Sequence, residues 1–359
     1  MVLKKVFITG ATGYIGGEVL YQVLNNKKYD FEIRALVRTP EKGIILQSKT
    51  NDKVIPILGT LDNSEILEKQ ANECDIIINT ADVDHVPSAQ VFYDTLVKKS
   101  KPTIFIHTSG TSVLGDGLAK DKKPSTKVYS DAKNIDEINS LDSKQPHRPV
   151  DEIILSIQEN NPTIDTVIVA PSNIVGKSDG YDRIVSIQIP YLVELSVKKG
   201  QAFSVYDGKY IWSHIHIKDL GDLYSLLLNK LLQGESVPKG KEGYYFGSYF
   251  LSNEEPVSEQ PSEVEHYWAD VSSAVGEYLF KNNIIETPKI AHLDPTEIRK
   301  IASFDFAPSL WGTNSRSRGD NGHKIGWKPK YPKLDDFWKT IPEDIDYMIK
   351  TKMITKATL

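Results

Sequence analysis

Thr9-Gly10-Ala11-Thr12-Gly13-Tyr14-Ile15-Gly16 follows a β-branched run at residues 5–9 and opens an amphipathic stretch at 16–25. Glycines at these intervals permit a tight turn, a close backbone approach to a ligand, and close packing of helix on strand. A helix that begins there points free N–H groups and the positive end of its dipole at an anion. The segment therefore predicts a strand, loop and helix that cradle the pyrophosphate of a dinucleotide, with Gly10, Thr12, Gly13, Tyr14, Ile15 and Gly16 around it.

Outward from this loop, short apolar runs alternate with amphipathic ones. Residues 5–9, 32–37, 54–58, 76–79, 103–107 and 166–170 read as six strands, and 16–25, 64–72 and 88–99 as helices between them. Such alternation predicts an α/β doubly wound parallel sheet. Between Gly110 and Arg148 the pattern breaks. Residues 120–126 are strongly polar, and Pro124, Pro146 and Pro149 interrupt any long helix, so a loop bordering the site is expected. Further on, helices are expected at 184–199, 220–232 and 267–282, with strands at 202–205 and 210–217. Residues 1–180 form the cofactor domain in this reading and 181–359 a smaller substrate lobe, with about 202–232 returning to the first domain. Residues 254–265, rich in Glu, Ser and Pro, are expected to be a surface loop.

A length of 359 residues suits two domains or one large one at about 150 residues per domain. With 40% hydrophobic and 25% charged residues the composition is that of a globular protein, which excludes a disordered or fibrous chain. The 43 basic residues against 48 acidic ones leave a net charge of −5, so neither nucleic acid nor a membrane surface is an expected partner. The single cysteine, Cys74, forbids an internal disulfide and points to a reducing, cytoplasmic setting. No secretory signal is expected at the start, and no apolar run approaches the ~20 residues of a membrane helix.

The end of the second strand chooses between the two nicotinamide cofactors. A carboxylate there accepts ribose hydroxyls, whereas cations accommodate a 2′-phosphate. The sequence reads Val37-Arg38-Thr39-Pro40-Glu41-Lys42, with no acid at the strand tip. Arg38 as a planar donor fork and Lys42 as a mobile point charge predict NADP(H).

These features resemble the extended or atypical short-chain dehydrogenase/reductases of the NAD-dependent epimerase/dehydratase group. The resemblance is carried by the glycine loop, Asn79-Thr80-Ala81, His107-Thr108-Ser109-Gly110 and Pro171-Ser172-Asn173-Ile174-Val175-Gly176. It is strong to about residue 180 and looser over 212–223 and 311–329. It implies a Rossmann sheet with a C-terminal substrate-binding lobe. It also implies that Thr60 and Leu61 border the adenine, Thr80, Ala81 and Thr108 the ribose, and Pro171, Asn173 and Ile174 the nicotinamide. A homodimer is compatible with it.

The group also implies a Tyr-x-x-x-Lys pair on a helix, the lysine lowering the tyrosine's pKa and holding the ribose, beside a substrate-orienting hydroxyl. Tyr129 and Lys133 have that spacing. Their distance from Pro171 is longer than the group's usual interval, however, and counting back from Pro171 arrives at His147 and Arg148. His147 offers an acid near neutral pH, and Arg148 a donor to cofactor ribose or phosphate. The usual hydroxyl position falls on Gly110, which leaves Ser109 and Thr111 as candidates with Ser112 as a neighbour. His214 and His216 share a strand face without a third metal ligand, so no metal is expected. Arg316, Arg318, His323 and Lys324 form a cluster that could receive a substrate phosphate.

The expected activity is NADPH-dependent reduction of a small aldehyde or ketone. A sugar-nucleotide epimerase or dehydratase is the second reading. A non-catalytic NADP sensor resembling the NmrA-like proteins is the third.

Overall fold

Period-two alternation gives each early strand two apolar faces. Val6 and Ile8 oppose Phe7, Ile76 and Ile78 oppose Ile77, and Ile104 and Ile106 oppose Phe105, each set entering a different buried cluster. A sheet apolar on both sides must be covered on both sides, and parallel strands with crossover helices do this. The computed structural model describes residues 3–118, 124–251 and 258–355. The loop expected at 254–265 thus lies outside the described residues up to 257, and the polar stretch at 120–126 up to 123.

Strands β1 (Lys4–Thr9), β2 (Phe31–Val37), β3 (Val54–Leu58), β4 (Ile76–Asn79) and β5 (Thr103–Thr108) are joined by α1 (Tyr14–Leu24), α2 (Pro40–Thr50), α3 (Ser64–Glu73) and α4 (Val86–Leu96). Then come β6 (Tyr129–Ser130), α5 (Ile135–Asn139), α6 (Arg148–Asn160) and β7 (Ile164–Pro171). The rest comprises β8 (Asn173–Val175), α7 (Gln188–Lys199), β9 (Phe203–Val205), β10 (Ile211–His216), α8 (Ile217–Leu232), β11 (Tyr244–Gly247), β12 (Glu265–Tyr267) and α9 (Trp268–Lys281). It closes with β13 (Ala291–Leu293), α10 (Pro295–Ile301), β14 (Ser317–Arg318), α11 (Asp320–Lys324) and α12 (Leu334–Lys350).

The central sheet has seven parallel strands in the order β11-β7-β5-β4-β1-β2-β3. Its order reverses between β1 and β4, and open α/β sheets bind ligands beyond the strand ends at such a reversal. All six expected strands are present. The seventh, β11, was not legible because Tyr244-Tyr245-Phe246-Gly247 is too short to show a period. Its pairing with β7 makes it a strand. Helix α2 was also unread, although Pro40 starts it and the Thr39 hydroxyl caps it through the Lys42 N–H.

Residues 203–216 pair within the smaller lobe, where β10 joins β8 and β12, and β9 joins β13. The chain comes back to the main sheet through α8, whose Leu220, Leu223 and Leu227 share a cluster with Val19 and Leu20 of α1, and then through β11. A third apolar cluster, with Leu192, Trp268, Val271, Phe337 and Ile341, forms the lobe itself. Asp131 ties the two ends of this path: its carboxylate accepts from the Phe246 N–H at 2.8 Å and the Asn321 N–H at 2.8 Å. Among the described residues no helix is long and apolar enough to cross a membrane.

Buried ionisable groups set a pH optimum for stability. Burial raises Asp131 to about 8, Asp344 to about 7 and Asp151 to about 6. Each keeps in the fold a proton that the unfolded chain releases near pH ~4, so its stabilisation is full below that pH and is lost as pH rises through the folded value. Burial lowers His107 and His214 to about 3, His216 to about 4, and His266 well below its ordinary value. Those four oppose folding as pH falls below ~6.5. Stability is therefore expected to rise by roughly 2 kcal/mol from pH ~8 to ~6.5 and to fall again below ~5.5. Thermal melts across that range check it, and a steady rise from pH ~6.5 to ~8 would contradict it.

Candidate functional site

At the strand reversal lies a cleft of about 450 Å³. Its floor is built by the loop that opens α1. Gly10 has φ +75°, and a Cβ there would stand 2.5 Å from the Thr80 carbonyl oxygen. A Cβ on Gly16 would stand 2.2 Å from the Gly10 oxygen, so α1 can lie against the loop only without side chains at these points. Gly13 caps α1 with no side-chain acceptor, leaving the helix N-terminus open toward the cleft that Gly13, Tyr14 and Ile15 line. That cradle fits a pyrophosphate. Tyr14 holds the opposite wall through a 2.6 Å hydrogen bond to the Gly176 carbonyl.

Thr80, Ala81, Thr108, Pro171 and Ile174 also line the cleft. Thr12, Thr60, Leu61 and Asn173 are outside its lining. Thr12 accepts from the Arg183 N–H at 3.3 Å, Thr60 is bound to Asn63 in the turn after β3, and Asn173 donates to Gln188 at 2.8 Å. Arg38 stands exposed beyond β2 with no hydrogen bond or ion pair among the described residues. Lys42 differs from expectation, because its ammonium is paired with Asp182 from the far side of the loop.

The catalytic candidates separate. Tyr129 lies on β6, which pairs with β14, and Lys133 follows in a turn, so the four-residue spacing never becomes one helical face. Tyr129 lines a different, polar depression with Gln145 and Asn314, and burial pushes its phenol up, the opposite of activation. Arg148 is also displaced. It is buried in α6, where it donates to the Asn139 carbonyl and to the Tyr244 hydroxyl at 3.3 Å, and it stays out of the cleft.

Ser109 lines the cleft, but its hydroxyl donates to Asp151 at 2.8 Å. Tyr244 donates to the same carboxylate oxygen at 2.9 Å. His107, held neutral by burial, places Nε2 3.8 Å from Asp151 and Nδ1 3.0 Å from Asn79, whose oxygen accepts from Thr9 at 2.5 Å. This buried chain of groups fixes the end of β5 and the turn after it. The Thr111 hydroxyl has no partner among the described residues, and Thr111 lines the cleft.

His147 is brought to the site. It caps α6 in a left-handed conformation, φ +67°. Its Nδ1 lies 2.8 Å from Asp84 Oδ1, to which its backbone N–H donates at 3.1 Å, and its Nε2 lies 2.5 Å from Ser112 Oγ. Ser112 lines the cleft. The hydrogen bond from His147 holds the Asp84 carboxyl below the usual range. Gly110 leaves room for the ring, since a Cβ there would stand 3.1 Å from His147 Nε2 and push it by a few tenths of an ångström. The glycine in the usual hydroxyl position was the available signal for this relay. The sequence offered Ser112 only as a neighbour of Ser109 and Thr111 and gave no sign of Asp84, because both meet His147 only across the fold.

Of the remaining basic residues, Lys324 is exposed at the end of α11 and the others are engaged within the fold. Arg316 and Arg318 both grip the buried Glu265, and His323 stacks on Phe250 with ring centroids 3.9 Å apart. His214 is buried against Phe337, and His216 Nδ1 accepts from the Lys218 N–H at the start of α8. Among the described residues no group of three or more His, Cys, Asp or Glu is placed to hold a metal ion.

Comparison with known proteins agrees with the fold. Residues 6–238 match the profile of the NAD dependent epimerase/dehydratase family. The oxidase ucsJ of Acremonium sp is 28% identical over 346 residues, covering 92% of this chain and 94% of its own. A 4-hydroxy-2-methyl-3-oxo-4-farnesyl-3,4-dihydroquinoline-1-oxide ketoreductase of Stigmatella aurantiaca is 25% identical over 268 residues, covering 70% of this chain and 69% of its own. Among solved structures, DesIV, a dTDP-glucose 4,6-dehydratase of Streptomyces venezuelae with NAD bound, superposes with TM-score 0.62 at 14% identity, covering 96% of this chain and 97% of that one.

Proposed function

This chain belongs to the NAD dependent epimerase/dehydratase family, and from that premise we propose that it uses NADP(H) to reduce the carbonyl of a small aldehyde or ketone. The observation that carries the reading is the Asp84–His147–Ser112 relay, which ends in the cleft beside the loop that fits a dinucleotide. The printed activity of the Stigmatella relative, ketoreductase, points the same way.

Gly13 with the first turn of α1 would hold the pyrophosphate, Ala81 and Thr108 would border the ribose, and Pro171 with Ile174 the nicotinamide. A nicotinamide held there would supply a hydride to the carbonyl carbon. The oxygen, taking the electron pair of the broken π bond, receives the Ser112 hydroxyl proton. Ser112 is reprotonated from His147 Nε2, and Asp84 holds the imidazole through Nδ1. In the reverse direction a neutral His147 accepts from Ser112, which accepts from the alcohol. A relay of this kind performs the role that Tyr129 and Lys133 were expected to fill, and it gives a sensor no evident use.

NADPH oxidation against a panel of aldehydes and ketones tests the reading. No turnover with any of them, despite tight NADPH binding, would refute it. The choice of NADP(H) rests on Arg38, an open guanidinium at the strand tip. Arg38→Ala is expected to weaken NADPH binding by about 10-fold or more through loss of a charge-assisted bond, with NADH little affected. Equal losses for both would remove Arg38 from the phosphate site. A sugar-nucleotide epimerase or dehydratase is the second reading, favoured by the superposition on DesIV.

A further inference from the structure

One wall of the cleft is built by Arg183, Ser186, Ile187 and Gln188 with Trp212 and Leu310. Ile187 is 53% exposed there and adds an aliphatic surface to the cleft. Trp212 donates its indole N–H to the Thr313 carbonyl at 2.6 Å, so what it can offer the cleft is ring surface. Most polar groups on this wall are already committed. Gln188 donates to the Leu310 carbonyl at 3.1 Å and accepts from Asn173 at 2.8 Å, and Ser172 donates to the Gly247 carbonyl at 2.7 Å. Ser186 is the exception. It is 2% exposed, and its hydroxyl has no partner among the described residues. A buried hydroxyl left unpaired is costly, and a ligand oxygen would complete it.

Charge is scarce. Among the described residues lining the cleft, Arg183 is the sole cation and Asp82 the sole acid. Arg183 is turned to backbone, donating to the Val185 carbonyl at 3.3 Å and the Ser186 carbonyl at 3.1 Å. A nucleoside diphosphate carries two phosphate charges, which proteins hold with arginine forks or lysines. Among the described residues this wall offers a single guanidinium, Arg183, for those two charges.

We propose that the substrate half of the cleft takes an uncharged, mainly apolar carbonyl compound that carries a second oxygen function, with Ile187, Trp212 and Leu310 against its apolar part and the Ser186 hydroxyl on the second oxygen. This rests on the reductase reading for the identity of the site, and it sets this chain apart from a sugar-nucleotide enzyme.

The test is calorimetric titration of the NADP⁺-saturated protein with 1-phenyl-1,3-butanedione, acetophenone and UDP-glucose. The oxidised cofactor cannot reduce a ketone, so the titration reads binding alone. The diketone is expected to bind at least about tenfold more tightly than UDP-glucose, because a single guanidinium would face two phosphate charges. Ser186→Ala should weaken the diketone by about fivefold and leave acetophenone, which has one oxygen, unchanged. Ile187→Asp, at an exposed position that does not threaten folding, should weaken both ketones. Tighter binding of UDP-glucose, equal effects of Ser186→Ala on both ketones, or no binding of either ketone would overturn the proposal. Absence of NADPH oxidation would instead fail the reductase reading while this binding preference stood.

Discussion

Replacing His147 by alanine is expected to lower carbonyl reduction by roughly 10²- to 10⁴-fold, the usual worth of a positioned acid or base. Among the described residues the imidazole is the only group within hydrogen-bond distance of Ser112 Oγ that can reload it with a proton, at 2.5 Å. Ser112→Ala should cost about as much, and the double variant little more than either single one, because the two act as one unit. NADPH affinity should not change, since His147 is not among the residues lining the cleft. A loss confined to kcat, with KM for the carbonyl near the wild-type value, separates this role from a merely structural one. A variant within threefold of wild type would remove His147 from the mechanism.

Glu265→Ala is expected to cost about 3–5 kcal/mol of stability, the price of leaving a buried charge without its partner. Both oxygens of this carboxylate are used. Oε1 accepts from Arg316 Nε at 3.0 Å and Arg318 Nη1 at 3.0 Å, and Oε2 from Arg316 Nη2 at 2.8 Å and the Ser262 N–H at 2.9 Å. Burial pushes the carboxyl up, yet the bonds from Arg316 and the charge of both arginines outweigh it and hold it at about 2. The contribution is therefore present above pH ~4.5 and is lost as pH falls toward the folded value. In the variant Arg316, 3% exposed, would remain buried and unpaired. Denaturant unfolding at neutral pH measures the loss. Adding Arg316→Met should recover much of it, because a buried ion pair can be replaced by apolar packing of similar volume. A loss below ~1 kcal/mol would mean that water reaches this pair.

The central sheet was legible where its signal is local. β1 to β5 and β7 each carry a run of β-branched or aromatic residues bounded by turn residues, and α1 announces itself by the glycines before it. β11 carries no such signal, because four residues show no period and only β7 beside it makes them a strand. In the site the glycine loop was legible for the same reason as the strands. The catalytic groups were half legible. Counting back from Pro171 reached His147, but Asp84 lies 63 residues from it and Ser112 lies 35, and no local pattern links them. Tyr129 and Lys133 show the converse. Their spacing is right, but four residues share a face only on a helix, and Tyr129 is drawn instead into a strand against Ser317.

By itself the sequence determined the layers of the fold, the dinucleotide loop and the position of the cleft, because backbone periodicity and glycine's conformational freedom act over a few residues. Only the tertiary structure decided which charges and hydroxyls are free. Lys42 is taken by Asp182, Arg316 and Arg318 by Glu265, and the Ser109 hydroxyl by Asp151, while Ser112 keeps its link to His147 and Arg38 stays open. The physical reason is that a polar group entering the interior must find a partner wherever the fold supplies one, often a hundred or more residues away.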